Sequence, residues 1–212
     1  MDTAAILKCV DHTQLKAYAS WADIEKLCLE AQKLGTASVC VPPCYIKRIR
    51  QAFPGLTICT VVGFPLGYSV TEAKEAEVKK AVEDGADEID MVINITDVKN
   101  GDFEAVENEI RILRRAAGNH ILKVIVETCY LTEEEKIRLC EIVTAAGADF
   151  IKTSTGFGTA GAALKDIRLF KEHIGAGVKI KAAGGIRTKE AMEEYLQEGC
   201  SRIGSSSAGS IE

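Results

Sequence analysis

The sequence predicts an α/β protein: a closed (β/α)8 barrel of the TIM type, one domain spanning residues 1–212. Three observations carry that prediction. Eight short β-branched runs alternate with amphipathic stretches of helical spacing. The segments EDGADEID (83–90), AAGADFIK (145–152) and QEGCSRIG (197–204) each read as helix, glycine, small or polar pair, strand, and KLGTASVC (33–40) is a fourth copy. Such a repeat describes βα units in series. The strands are near-continuous apolar runs, as parallel strands covered by helices should be. An open doubly wound sheet is the competing architecture; the first βα turn has no G-x-G-x-x-G, which argues against it.

The strands are expected at Cys9–Asp11, Ser38–Val41, Thr57–Val62, Glu88–Ile93, Leu122–Glu127, Phe150–Thr153, Lys179–Ala182 and Arg202–Gly204. Helical periodicity covers Asp23–Leu34, Pro43–Ala52, Thr71–Asp84, Phe103–Ala117, Glu133–Ala146, Leu164–Glu172 and Lys189–Gln197. Thr132 before Glu133, Glu134 and Glu135 has the form of a capping box with acids in the first turn. Gly35, Gly85, Gly147 and Gly199 fit the left-handed residue just past a helix. A short helix at Thr3–Leu7 is expected to plug the N-terminal end of the barrel. Only about eight residues follow the last strand, so the eighth helix is short or missing.

Composition bounds the function. Apolar residues make up 47% and charged residues 27% of 212 residues, with a net charge of −5. No basic tract stands out, which argues against nucleic acid as a main partner. No long apolar run offers a membrane span, and the N-terminus lacks a signal-peptide pattern. The eight cysteines are scattered and form no C-x-x-C pair, as reduced thiols of a cytoplasmic protein would be. His12, His120 and His173 lie far apart without ligand spacing, so no metal site is expected. No G-x-S-x-G occurs.

The informative residues are charges inside strands, because a buried unpaired charge is costly. Lys152 lies near the C-terminal end of the sixth strand, in DFIKTSTGF (149–157), beside a Thr/Ser/Gly-rich loop. That end of a barrel carries the active site. A desolvated lysine there, or one beside another cation, can lose its proton and attack a carbonyl. The alternative is a rim lysine that snorkels or pairs with an acid. Lys181 stands at the same height on the seventh strand, and two close ammonium groups depress at least one pKa. Lys179 shares its parity and is expected deeper in the barrel, in a structural role. Asp90 in the fourth strand could serve the lysines, relay a proton through water, or act as a counter-ion. Lys123 and Glu127 share parity in the fifth strand, which suggests an internal salt-bridge network.

AAGGIRT (182–188) ends the seventh strand and IGSSSAG (203–209) ends the eighth. Loops at these two positions, with the N-terminus of a short helix, often bind phosphate in barrels. Gly184, Gly185, Gly204, Ser205 and Ser206 fit such a grip, and Arg187 adds charge at its edge.

Taken together, DHTQL (11–15), ASVCV (37–41), TVVGFPLG (60–67), GADEIDMVIN (85–94), KVIVETC (123–129), GADFIKTSTGF (147–157), VKIKAAGGIRT (178–188) and SRIGSSS (201–207) are specific. The chain resembles the deoxyribose-phosphate aldolase family over nearly its whole length. The resemblance implies reversible cleavage of 2-deoxy-D-ribose 5-phosphate to D-glyceraldehyde 3-phosphate and acetaldehyde, by a lysine Schiff base without metal or organic cofactor. It implies Lys152 as the Schiff-base lysine, Lys181 as the second lysine and Asp90 as the acid that works with a water. Asp11, Thr13, Cys40, Lys123 and Thr153 would line the pocket. Some members carry a longer tail whose tyrosine reaches the site; this sequence ends at Ile211–Glu212, so that contribution is expected to be absent from it or cut from it. A different Schiff-base aldolase acting on another phosphorylated sugar and a non-catalytic phosphate-binding barrel are the competing readings. The expected partner is a small phosphorylated sugar, with a homodimer as the default assembly.

Overall fold

The eight strands close into a parallel barrel in sequence order, β1-β2-β3-β4-β5-β6-β7-β8, with β8 paired back onto β1. The computed structural model describes residues 1–211. The strands are β1 (Val10–Thr13), β2 (Ser38–Val41), β3 (Ile58–Val62), β4 (Glu88–Val92), β5 (Ile121–Ile125), β6 (Phe150–Lys152), β7 (Lys179–Ala183) and β8 (Arg202–Ser205). The helices are α1 (Thr3–Leu7), α2 (Trp21–Leu34), α3 (Ile46–Ala52), α4 (Thr71–Asp84), α5 (Ile95–Lys99), α6 (Phe103–Ala117), α7 (Glu133–Ala145), α8 (Leu164–His173) and α9 (Lys189–Glu198). Every expected strand is present, with ends displaced by up to two residues.

Local chemistry sets the helix ends. Ser20 and Asp23 form a reciprocal capping box that starts α2 two residues earlier than periodicity suggests, and Thr132 and Glu135 form another at α7. Gly35 and Gly85 close α2 and α4 in the left-handed region, and Gly147 and Gly199 also have positive φ. The expected helix from Pro43 begins as a single 3-10 turn, Pro43–Tyr45, before α3. The sequence reading missed α5. Five residues are too few to show a period, although Asn94 caps it by accepting from the Thr96 N–H at 3.2 Å. Helix α1 buries Ile6 and Leu7 and packs on α9, a member of the outer ring. After β8 the described chain has only a 3-10 turn, Ala208–Ser210, where an eighth helix would stand.

Two interiors result. Between strands and helices lies the apolar layer, with Ile24, Val39, Ile89, Val124, Leu139, Ile151 and Ile203 wholly inaccessible. Each such side chain contributes about 1.5–3 kcal/mol of burial free energy. Inside the barrel, the small apolar cluster Cys40, Cys59 and Val61 sits beside charged side chains rather than stacked aliphatic layers. No helix among the described residues is long and apolar enough to cross a membrane.

Candidate active site

Alternation along parallel strands decides which charges enter the barrel. Asp90 and Lys123 are direct register partners on β4 and β5, and Lys152 and Lys181 are partners on β6 and β7. Inside, Asp90 is the hub. Its Oδ2 accepts from Lys152 Nζ at 2.7 Å and Lys181 Nζ at 2.6 Å, and its Oδ1 from Lys123 Nζ at 2.8 Å. Lys181 also donates to Asp11 Oδ2. Lys123 reaches Glu88 Oε2 at 2.6 Å, and Arg202 Nη1 lies 3.0 Å from Glu88 Oε2 and 2.6 Å from Asp11 Oδ1. Six charges therefore close an alternating ring: Asp90, Lys123, Glu88, Arg202, Asp11, Lys181. Lys152 hangs from it by Asp90.

The ring favours the charged forms of Asp11, Asp90, Lys123, Lys181 and Arg202. Burial alone would lift the Asp90 carboxyl, but Lys123, Lys152 and Lys181 hold it well below the usual carboxylate range. Burial would likewise lower the Lys181 amine, yet Asp11 and Asp90 push it above the ordinary lysine value. At Lys181 the carboxylates outweigh the neighbouring cations. Lys123 is raised for the same reason, burial being overcome by Asp90 first.

Above this floor a cavity of about 250 Å³ opens at the C-terminal end of the barrel. Lys152 is its one lining residue from the charge cluster. Thr13, Gly184, Gly185, Arg187, Gly204, Ser205 and Ser206 line it as the sequence anticipates, joined by Lys16, Thr155 and Phe157, which sequence reasoning missed. Gly204 faces inward; a Cβ there would lie 2.9 Å from Ala183 Cβ and 3.4 Å from Lys181 Cε, so its bareness leaves the lysine room. Gly184 has φ +90°, and its Cβ would come within 2.9 Å of Gly161 Cα. Ser205 Oγ donates to the Ile186 carbonyl at 2.7 Å and accepts from the Ser207 N–H at 3.1 Å, stitching the two glycine loops together. The expected helix N-terminus beside these loops is only the 3-10 turn.

Several residues singled out from the sequence do not line this cavity. Asp11, Cys40, Lys123, Asp90 and Lys181 are buried beneath the cavity floor. Thr153 does not line it either; its Oγ1 accepts from the Ala183 N–H at 3.1 Å and donates to the Ala183 carbonyl at 3.2 Å, bracing β6 on β7. Lys123 does not pair with Glu127. Strand β5 ends at Ile125, and Glu127 sits at φ +57°, a strained conformation for a residue with a side chain. Its carboxylate instead accepts from Thr155 Oγ1 and from the Thr155 N–H at 3.3 Å, holding the loop after β6 against the cavity. Phe157 of that loop packs edge-on against Phe64, ring centroids 5.4 Å apart. Lys179 opens β7 exposed to solvent, its ammonium 5.7 Å from the Phe150 ring, rather than inside the barrel. Sulfur and carboxylate oxygen atoms of Cys40, Cys59 and Asp90, or of Asp11, Cys59 and Glu88, lie within 4.8 Å of one another. Ammonium and guanidinium groups already occupy those carboxylates, so the donor set fits cationic side chains better than a metal ion.

Chemically, the arrangement offers an amine at the bottom of a cavity, a carboxylate hydrogen-bonded to it, and a wall of bare glycine backbone and serine at the rim. Comparison with known proteins agrees. The profile of the DeoC/LacD family aldolases matches residues 5–211. The deoxyribose-phosphate aldolase of Clostridium botulinum (strain Alaska E43 / Type E3) is 62% identical over 209 residues, covering 98% of this chain and 95% of that protein. That of Clostridioides difficile (strain 630) is 56% identical over 203 residues, covering 95% and 93%. The tetrameric deoxyribose phosphate aldolase of Aeropyrum pernix superimposes with a TM-score of 0.90 at 28% identity, covering 99% of this chain and 90% of that one. This chain belongs to the DeoC/LacD family of aldolases.

Proposed function

We propose that this aldolase cleaves 2-deoxy-D-ribose 5-phosphate reversibly to D-glyceraldehyde 3-phosphate and acetaldehyde through an imine on Lys152. The observation that carries the reading is Lys152 itself: 3% exposed, held 2.7 Å from Asp90, and the one charge of the cluster that faces the cavity. Neutral Lys152 attacks C1 of the open-chain aldehyde, and the carbinolamine takes up one proton from solvent and loses water to leave a protonated imine that accepts electrons. Asp90, through water, takes the proton of the C3 hydroxyl, and the C2–C3 bond breaks. Glyceraldehyde 3-phosphate departs. The enamine gains a proton at C2, relayed by Lys181 and Asp90, and hydrolysis releases acetaldehyde. The glycine and serine loops with Arg187 hold the phosphate, so binding energy far from the reacting bond orients it.

Borohydride with acetaldehyde is expected to add an ethyl group at Lys152, located by peptide mass analysis. A label at Lys181, or none, sinks the assignment. Lys152→Leu is expected to remove turnover by about a thousand-fold or more while the fold persists. Deoxyribose phosphate assayed against fructose phosphates separates this substrate from those of other Schiff-base aldolases. The eight free thiols favour a reducing cytoplasmic setting. A symmetric homo-oligomer is the simplest assembly, a dimer by default; the Aeropyrum relative is described as a tetramer.

A further inference from the structure

We propose that Glu88 and Arg202, which lie out of the substrate's reach, are positioning residues that set how readily Lys152 gives up its proton. The inference rests on Lys152 being the imine-forming amine. It comes from counting charges in the barrel. The ring holds three carboxylates (Asp11, Glu88, Asp90) and three cations (Lys123, Lys181, Arg202), so it is neutral by itself. Lys181, Lys123 and Arg202 each touch at least two carboxylates, whereas Lys152 touches Asp90 alone. Within the ring every charge has its counter-charge, whereas Lys152 and the buried Glu127 carboxyl stand outside it, so the ring's net charge is the part of the field at Lys152 that Glu88 and Arg202 set.

Every strand but β6, which carries Lys152 itself, contributes to this field. The charged or titratable groups in the barrel around Lys152 are Asp11 on β1, Cys40 on β2, Cys59 on β3, Glu88 and Asp90 on β4, Lys123 on β5, Lys181 on β7 and Arg202 on β8. Glu127 stands past β5, and Lys16 and Arg187 stand at the cavity rim. Glu88, Arg202 and Asp11 form no ion pair with Lys152 or its counter-ion Asp90; Asp11 does pair with Lys181, whereas Glu88 and Arg202 do not. Arg202 engages Glu88 through both terminal nitrogens, at 3.0–3.2 Å, one layer below the hub. Their action on Lys152 passes through Lys123, Asp11 and the field alone.

Removing one charge must then move Lys152 in a direction set by its sign. Arg202→Gln leaves the ring at −1, retains the Lys152 proton and is expected to move the acid limb of the pH–rate profile alkaline. Glu88→Gln leaves it at +1, expels the proton and is expected to move the limb acidic. Each shift should be about one pH unit. A purely structural role would lower turnover in both variants without opposite displacements. The pair Glu88→Gln/Arg202→Gln restores neutrality and should return the profile to its wild-type position, as should the charge-retaining Arg202→Lys. The experiment is the pH dependence of deoxyribose phosphate cleavage, alongside reductive trapping of acetaldehyde by cyanoborohydride with the labelled residue identified. Opposite shifts, with the label at Lys152, support the proposal. Shifts of the same sign, or none, with the label still at Lys152, overturn it and leave the imine reading standing. A label elsewhere in the wild type overturns the imine reading first. Should a single variant lose its near-UV circular dichroism, Arg202→Lys and the double variant carry the test, and displacement of either profile overturns the proposal.

Discussion

Two sets of buried charges in this molecule behave in opposite ways. Between α4 and α6, Lys74 and Glu109 form an isolated pair with 2.7 Å between Nζ and Oε1. Lys74 also donates to the Val92 carbonyl at 2.9 Å, and Glu109 accepts from the Asn94 N–H at 3.1 Å. Burial nonetheless pulls the Lys74 amine below its ordinary value and pushes the Glu109 carboxyl above its own. Both members lean toward their neutral forms. In the barrel, Asp11 and Asp90 are lowered and Lys123 and Lys181 raised, so these members lean toward their charged forms. The difference is the number of counter-charges. One partner does not repay the desolvation of two ions, whereas two or three partners per ion do.

Removing the hub should have the largest effect. Asp90→Asn strips three lysines of their shared carboxylate and is expected to cost about 3–5 kcal/mol in urea unfolding, together with turnover. A loss below about 1 kcal/mol would mean that the ring is not holding itself together as described.

The pH dependence comes next in size. Asp11 and Asp90 have folded values below 3.8, so their stabilisation is complete above that pH and is lost as pH falls through the folded values. Lys123 and Lys181 have folded values above 10.5, so theirs is complete below that pH and is lost as pH rises beyond it. The ring's contribution should thus be level between the two, and the acid limb should flatten in Asp90→Asn. An acid limb of unchanged steepness in that variant would place the titration elsewhere.

The smallest effect belongs to the isolated pair. Lys74→Met/Glu109→Leu is expected to change stability by no more than about 1 kcal/mol and to keep turnover, since lost backbone contacts offset relieved desolvation. A cost rivalling that of Asp90→Asn would erase the contrast between the two regions.

Much of this was legible in the sequence. The helix–glycine–strand repeat identifies the barrel because each glycine marks a fixed point in a βα unit. Lys152, Lys181 and Asp90 stand out because charges interrupt apolar runs. Glu88 and Arg202 were hidden by position: each opens its strand, where a charge ordinarily faces solvent, and only the register shows them turned inward. Lys123 and Glu127 share parity, but parity holds only while the strand lasts, and the backbone turns left-handed at Glu127. Lys74 and Glu109 did leave a signal. Lys74 stands in line with Val78 and Ala81, and Glu109 with Val106, Ile110 and Leu113, on the buried faces of their helices.

The distribution of the seven charges along the chain has a consequence of its own. Strands β1 to β4 supply Asp11, Glu88 and Asp90, all anions, while β5 to β8 supply Lys123, Lys152, Lys181 and Arg202, all cations. The inner walls of the two half-barrels therefore meet as complementary surfaces do, unlike sign against unlike. A half-barrel facing its own duplicate would set like charges together in a space without water. The molecule carries, folded inside one chain, a partner-choice rule that accepts the other half and refuses a second copy of the same one.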